Sequence, residues 1–253
     1  MKISIITAVY NSKNTIREAI ESVLSQNYTN IEYIIIDGAS TDGTLEIIKE
    51  YEDKITKICS KPDRGIYDGL NKGVSLASGD IIGFLHADDL YENCEVIEKV
   101  ITAFKSEQAD AVYGDLVYVN KKNTNKILRY WISGEFSLLK LKYGWMPPHP
   151  TFFLKRKLYE TCGLYDINFK ISADYDFILR VLTNSKYKIY YLHEILYRMR
   201  IGGASNQSLS SILQKTKEDF KAIQRNKIGA TNTLIMKNLS KIPQFFIKPK
   251  INK

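Results

Sequence analysis

Between Lys2 and Leu85, short apolar runs alternate with segments of helical periodicity, and this alternation leaves few folds open to the chain. The strand candidates are Lys2–Val9, Ile31–Ile36, Ile55–Cys59 and Asp80–Leu85. Ile31–Ile36 is nearly continuous in apolar residues, as a parallel strand buried on both faces requires. Between the runs, Ile16, Ala19, Ile20, Val23 and Leu24 recur at helical spacing. Further helices are expected near 43–52, with Leu45, Ile48 and Tyr51 on one side, near 66–76, and near 93–105. The rhythm predicts an α/β fold: a mixed, mostly parallel sheet flanked by helices, with ligands at the C-terminal ends of the strands.

Those ends are polar. They comprise Thr7–Asn11, Asp37, Lys61–Arg64 and His86–Asp89. The run Ile81–Leu85 stops abruptly at His86, Asp88 and Asp89. Adjacent carboxylates repel unless something positive sits beside them, and a divalent cation bridging a pyrophosphate is one such partner. A helix cap is the other reading, but the next helix begins several residues later, so a cap accounts for one Asp more readily than two. No GxGxxG follows the first strand and no GxxxxGK[ST] occurs, which argues against a dinucleotide-binding domain and a P-loop.

Beyond residue 110 the pattern changes. Ala111–Asn120 and Lys126–Ile132 read as strands around the turn KKNTN, and Trp145–Pro150 is a stiff segment holding His149. A helix near 174–184 and a strand over Lys188–Leu192 follow. The chain is expected to divide into a catalytic domain over 1–205 and a basic helical tail over 206–253. The tail holds ten Lys/Arg against two acids, the whole of the formal +8 charge. A basic tail seeks phosphate, in nucleic acid or on an anionic membrane face, and Phe245 and Phe246 beside Lys248 and Lys250 suit an interfacial anchor. The scattered Cys59, Cys94 and Cys162 show no disulfide or zinc pattern and suit a reducing cytosol. No run approaches the roughly 20 apolar residues of a membrane span, and the N-terminus reads as a first strand, not a secretory signal.

Taken together, SIITAVYNS, IIIDGASTDGT, PDRGIYDGLNKG, FLHADD, HPTFF, SADYDFILR and MRIGGAS occur in an order that resembles the family 2 glycosyltransferases of GT-A fold. The later motifs look like the branch that builds bacterial surface polysaccharides, the colanic-acid type included. The resemblance covers roughly residues 1–205. It implies a nucleotide-sugar donor (UDP-linked first, GDP- or dTDP-linked as alternatives), Mn²⁺ or Mg²⁺, and inverting transfer to a saccharide or polyprenol-linked saccharide. It also implies a place on the inner face of the cytoplasmic membrane.

The resemblance further implies residue roles. Thr7, Tyr10, Asn11 and Asp37 would hold base and ribose; Asp37-Gly38 alone reads as a turn. Asp63 and Arg64 fall in the loop over the donor, where Arg64 pairs a phosphate or is a solvated surface charge. Asp68 and Asn71 fall on the donor-binding side, where they would shape that loop and not touch the sugar. The DXD-type motif falls on His86-Ala87-Asp88, with His86 in place of its first carboxylate, so Asp88 and Asp89 would hold the cation. Where many relatives have a late histidine, this chain has Arg198 and Arg200, and an arginine there would help neutralise the leaving phosphate. The base that deprotonates the acceptor is Asp174 or Asp176. Two apart on a helix, they point about 200° apart, so only one faces the site. Asp176 has Arg180 at i+4 as a surface partner, which leaves Asp174; a helix N-cap is its other reading. His149 suits the acceptor or the leaving phosphate, or is a satisfied histidine at a sheet edge. The competing functions are a donor-binding relative without activity, nucleic-acid binding through the tail, and a nucleotidyltransferase. The last lacks the Gly-rich loop after strand one that a triphosphate needs.

Overall fold

The computed structural model describes residues 1–202, 209–240 and 244, with the side chain of Leu209 excepted. The expected interfacial anchor at Phe245–Lys250 lies outside the described residues. The parallel half of the sheet is built from β1 (Ile3–Val9), β2 (Ile31–Asp37), β3 (Lys57–Ser60) and β4 (Ile81–Phe84), in the order β3-β2-β1-β4. Successive side chains of these strands enter two cores. Ile34 and Ile36 face one with Ile6, Leu70 and Val74, while Tyr33 and Ile35 face the other with Ile5, Ile16 and Ile20. Burial on both faces is why Ile31–Ile36 carries so few polar residues.

The helices α1 (Ile16–Leu24), α2 (Thr44–Lys49), α3 (Ile66–Leu76) and α4 (Val96–Ser106) connect these strands and the next. At Gly73 an added Cβ would stand 2.3 Å from the Ile6 side chain, so α3 lies against β1 at a distance only glycine allows. That contact fixes where the start of α3, and the loop before it, meets the sheet.

β4 pairs antiparallel with β8 (Phe153–Lys155), which pairs antiparallel with β6 (Ala111–Val119). The hairpin around KKNTN forms as expected, with β7 (Ile127–Trp131) antiparallel to β6. Two features differ from the sequence reading. The strand expected over Lys188–Leu192 runs on as β9 (Ile189–Arg200), parallel to β6 on either side of a break in register between Tyr191 and Tyr197. The residues after Asp89 form a two-residue strand, β5 (Leu90–Tyr91), antiparallel to β9. A helix cap at Asp88-Asp89 is thereby ruled out; the pair sits in a turn between two strands.

The remaining helices are α5 (Leu138–Lys142), α6 (Lys157–Cys162), α7 (Ala173–Leu182), α8 (Leu209–Arg225) and α9 (Thr231–Leu239). The last two belong to the segment expected as a tail. Ala222, Ile223 and Ile228 are buried in the same core as the α7 residues Phe177, Ile178 and Val181. No helix among the described residues is long and apolar enough to cross a membrane.

Candidate active site

A cavity of about 570 Å³ opens between the ends of β4, β6 and β9 and the helices α7, α8 and α9, and Asp174 and Asp219 lie in its wall. Helix α7 sorts its two acidic residues by periodicity, as expected. Asp174 lines the cavity and accepts a hydrogen bond from the Tyr67 hydroxyl at 3.0 Å. Asp176 is 0 % exposed, accepts from Arg180 Nε at 2.9 Å and Asn226 Nδ2 at 3.1 Å, and cannot reach a substrate. Its pair with Arg180 is therefore buried, not on the surface. The N-cap position of α7 is Ser172, so Asp174 is not the cap.

Tyr67 lies in the first turn of α3 and points its hydroxyl at two acceptors, Asp174 Oδ1 and the Ile171 carbonyl at 2.5 Å. Burial, then the nearby Asp174 charge, pushes the Tyr67 hydroxyl well up, so it keeps its proton and stays a donor. The segment before α7 is held from the other side. Glu218 of α8 accepts the backbone N–H groups of Lys170, Ile171 and Ser172 at 2.9, 2.8 and 2.9 Å. Beside it, Asp219 pairs with Lys237 of α9 at 2.8 Å, and that ammonium lies 3.3 Å from the centre of the Tyr175 ring. Sequence reasoning assigned none of Tyr67, Glu218, Asp219 and Lys237 to the base. Tyr67 lay within a quoted motif, while the other three were absorbed into a charge count.

The turn after β4 divides its residues. Asp89 is 1 % exposed, and its Oδ1 accepts the backbone N–H of Arg200 at 2.8 Å. Burial, then the adjacent Asp88 charge, pushes its carboxyl well up. One oxygen of Asp89 thus braces the turn, while its Oδ2 has no hydrogen-bond partner among the described residues. Asp88 is partly exposed, and its carboxylate has no hydrogen bond or ion pair among the described residues. No cluster of three or more His, Cys, Asp or Glu side chains able to hold a metal occurs among the described residues. One free carboxylate fits a cation that takes most of its ligands from substrate phosphates and water. Arg200 donates to the Asp88 carbonyl and to Glu18 of α1, each at 2.6 Å, and so ties the turn to β9 and α1. It lines the cavity with Nε unpaired. Arg198 is spent on Glu92, with two contacts of 2.7 Å.

His86 and His149 both line the cavity, with ring centres 5.9 Å apart, and His149 also stacks on Phe84 at 5.5 Å. The His149 Nε2 meets the Tyr165 hydroxyl at 2.9 Å. Burial lowers the His149 pKa to about 4, against the opposing pull of Asp174, so the ring is neutral at pH 7. Burial likewise lowers His86, opposed by the charges of Asp88 and Asp174.

A second polar group gathers at the ends of β1, β2 and β3. Asp37 accepts from the Ser40 hydroxyl at 2.5 Å and the Ser60 hydroxyl at 2.6 Å. Tyr10 is exposed on the same edge, and an added Cβ at Gly38 would lie 2.7 Å from Asp63 Oδ2 and 3.4 Å from the Tyr10 ring. Glycine at 38 thus lets the 61–65 loop close on the β2 turn, a role beyond that of an ordinary Asp-Gly turn. Asn11, at φ 48°, accepts the Thr41 N–H on its side chain and donates its own N–H to the Ser40 hydroxyl. Arg64 extends into solvent, 3.6 Å from Asp68. Two expectations fail here. Thr7 is fully buried, its hydroxyl spent on the Leu85 carbonyl at 2.8 Å and on Tyr33. Asn71 spends both ends of its amide on the backbone of Tyr165, at 2.8 and 3.0 Å. Neither side chain is free for a donor. Asp68 accepts Arg64 N–H and pairs with Lys72 at 3.1 Å, which shapes the loop as expected.

Comparison with known proteins gives concordant results. Residues 4–169 match the model of the family described as Glycosyl transferase family 2. A PGL/p-HBAD biosynthesis glycosyltransferase of Mycobacterium bovis is 30% identical over 208 residues, covering 80% of this chain and 78% of its own. An uncharacterized glycosyltransferase of Rickettsia typhi is 31% identical over 225 residues, covering 85% and 68%. Among solved structures, residues 1–349 of S. aureus TarS in complex with UDP-GlcNAc superpose with a TM-score of 0.72 at 21% identity; the match covers 89% of this chain and 65% of that one. The mannosyltransferase PcManGT of Pyrobaculum calidifontis, in complex with GDP-Man and Mn²⁺, gives 0.66 at 15% identity, covering 97% and 73%. The fold is that of the GT-A glycosyltransferases, as the resemblance implied. The Mycobacterium bovis relative is named for PGL/p-HBAD biosynthesis, which does not support the colanic-acid branch.

Proposed function

This chain belongs to glycosyl transferase family 2, and from that premise we propose that it moves a sugar from a nucleoside diphosphate to a saccharide hydroxyl with inversion, in the synthesis of a cell-envelope glycoconjugate. The observation that carries the reading is the fate of the two α7 carboxylates: Asp176 is buried and paired, while Asp174 lines the cavity. Inversion needs a base on the face opposite the leaving group, and Asp174 takes the proton of the attacking hydroxyl. Tyr67 and the Glu218-bound segment hold that carboxylate in place. At the other end, the edge formed by Tyr10 and the 61–65 loop takes the nucleoside, with Asp37 buried behind it on Ser40 and Ser60 and the ring of Tyr10 available to stack on a base.

Asp88 would hold Mn²⁺ or Mg²⁺ between the protein and the donor pyrophosphate. When bound, that cation offsets the charge that grows on the departing diphosphate. Arg200 keeps the Asp88 turn in position and offers its Nε to the same region. A UDP-linked donor is favoured, since TarS is seen with UDP-GlcNAc; the GDP-Man complex of PcManGT keeps a GDP-linked donor open. Association with the inner face of an anionic membrane draws support from α5, where exposed Leu138, Leu139 and Tyr143 stand among Lys140 and Lys142.

Asp174→Asn tests the reading. Donor turnover, followed as nucleoside diphosphate release, should fall by about 10²–10⁴, with UDP affinity by calorimetry kept. Wild-type turnover in that variant overturns the assignment of the base.

A further inference from the structure

Seven buried side-chain polar atoms have no hydrogen-bond partner among the described residues, and five of them belong to residues that line the cavity beside Asp174. Two of the five, His86 Nδ1 and Arg200 Nε, belong to the phosphate side already described. The other three, Ser172 Oγ, Tyr175 Oη and Asp219 Oδ1, belong to the helical wall and have no part in the mechanism above.

These three are neighbours. Ser172 and Tyr175 are three apart at the start of α7 and share a face. Ser172 N–H binds Glu218, which precedes Asp219 in α8. Lys237 joins Asp219 and Tyr175 through the 2.8 Å ion pair and the cation–ring contact. Ser172, Tyr175 and Asp219 are 2 %, 1 % and 2 % exposed. A buried polar group left unpaired costs about 1–3 kcal/mol, and native proteins leave few. Three such atoms, in residues that line one cavity, mark a place where a small turn of each side chain lets a ligand complete the hydrogen bonding.

The chemistry of the three atoms selects the ligand. A carboxylate oxygen accepts, while Ser and Tyr hydroxyls donate or accept. A phosphate would set its charge against the free oxygen of Asp219; Lys237 is already committed to the other oxygen of that carboxylate, and Lys215 is the further cation of this wall. A hydrocarbon would leave all three atoms unpaired. A neutral polyol, whose hydroxyls both donate and accept, satisfies all of them. We propose that Ser172, Tyr175 and Asp219 form the subsite that binds the saccharide acceptor and presents its hydroxyl to Asp174. The inference rests on the reading of Asp174 as the base.

The test uses the full chain with UDP and three probes at millimolar concentration: the methyl glycosides of glucose, galactose and mannose. Saturation-transfer NMR should report binding of at least one glycoside to the wild type. Ser172→Ala and Tyr175→Phe should each weaken it at least fivefold, and the double variant should abolish it. Each removes a hydroxyl with no protein partner, so the melting temperature should hold or rise. No saturation transfer to any of the three glycosides, undiminished binding by the double variant, or a lower melting temperature for Tyr175→Phe overturns the inference. Calorimetry of the same wild-type sample with UDP, GDP and dTDP separates the two readings. Failure to bind any of them overturns the proposed function, while glycoside binding decides the subsite.

Discussion

Glu218 offers the sharpest test of how the C-terminal helices serve the site. Its carboxylate holds three successive backbone N–H groups at 2.8–2.9 Å, two of them partly buried. In Glu218→Ala, the exposed Lys170 N–H finds water at little cost, while those of Ile171 and Ser172 do so poorly. At about 1–2 kcal/mol for each of these charge-assisted bonds, the loss is about 2–4 kcal/mol. For a chain of this size that is a fall of about 4–16 °C in melting temperature. Glu218→Gln keeps one carbonyl oxygen for Ile171 and Ser172 and turns an NH₂ toward Lys170, so its loss should be about 1 kcal/mol. Freeing residues 170–172 also releases the base, and a misplacement of about 1 Å can cost 10²-fold in rate. Thermal denaturation, hydrogen exchange at amides 170–172 and nucleoside diphosphate release together read the effect. If Glu218→Ala melts with the wild type and those three amides exchange no faster, the reasoning is refuted.

Asp88→Asn should remove the dependence of UDP affinity on Mn²⁺, and calorimetry with and without the metal should then give the same constant if Asp88 is the protein's ligand. Asp176→Ala should act on stability instead of chemistry: it strands the buried Arg180 contact and should cost about 3 kcal/mol in a urea titration. His149 should set a pH dependence of folding. Its folded pKa, about 4, lies below the unfolded value near 6.5, so the unfolded state binds the extra proton and stability falls as pH drops through that window. Relative to His149→Phe, the wild type should lose up to about 3 kcal/mol between pH 6.5 and 4, and parallel urea midpoints for the two proteins would contradict this.

Much of the parallel half was legible because its strands are buried on both faces and so advertise themselves as apolar runs. The helix expected over 66–76 matches α3 end to end. β9 was half hidden: His193 and Glu194 fall where its pairing with β6 breaks, and Arg198 and Arg200 interrupt the apolar pattern beyond it. β5, at two residues, is too short to show any period. At the site, helical spacing showed that only one of Asp174 and Asp176 faces a substrate, Arg180 at i+4 and the family motif pointed to Asp174, and the paired acids after β4 drew notice as a repulsive pair. Their division into a free Asp88 and a sealed Asp89 depends on the N–H of Arg200, over a hundred positions away, which no local pattern reveals. The contribution of α8 was invisible for a related reason. Its charges read as a basic surplus seeking phosphate, yet Glu218 and Asp219 are turned inward, and a charge tally cannot distinguish a hydrated carboxylate from one that grips the backbone.

One short stretch of chain, from Asp63 to Tyr67, touches both polar groups: its first residue lies against Gly38 and its last donates to Asp174. On the proposed reading, with the nucleoside at the first and the attacking alcohol at the second, occupancy at one end bears on readiness at the other. The kinetic signature to expect is compulsory order, donor before alcohol, with little wasteful hydrolysis of the activated sugar while the partner is missing.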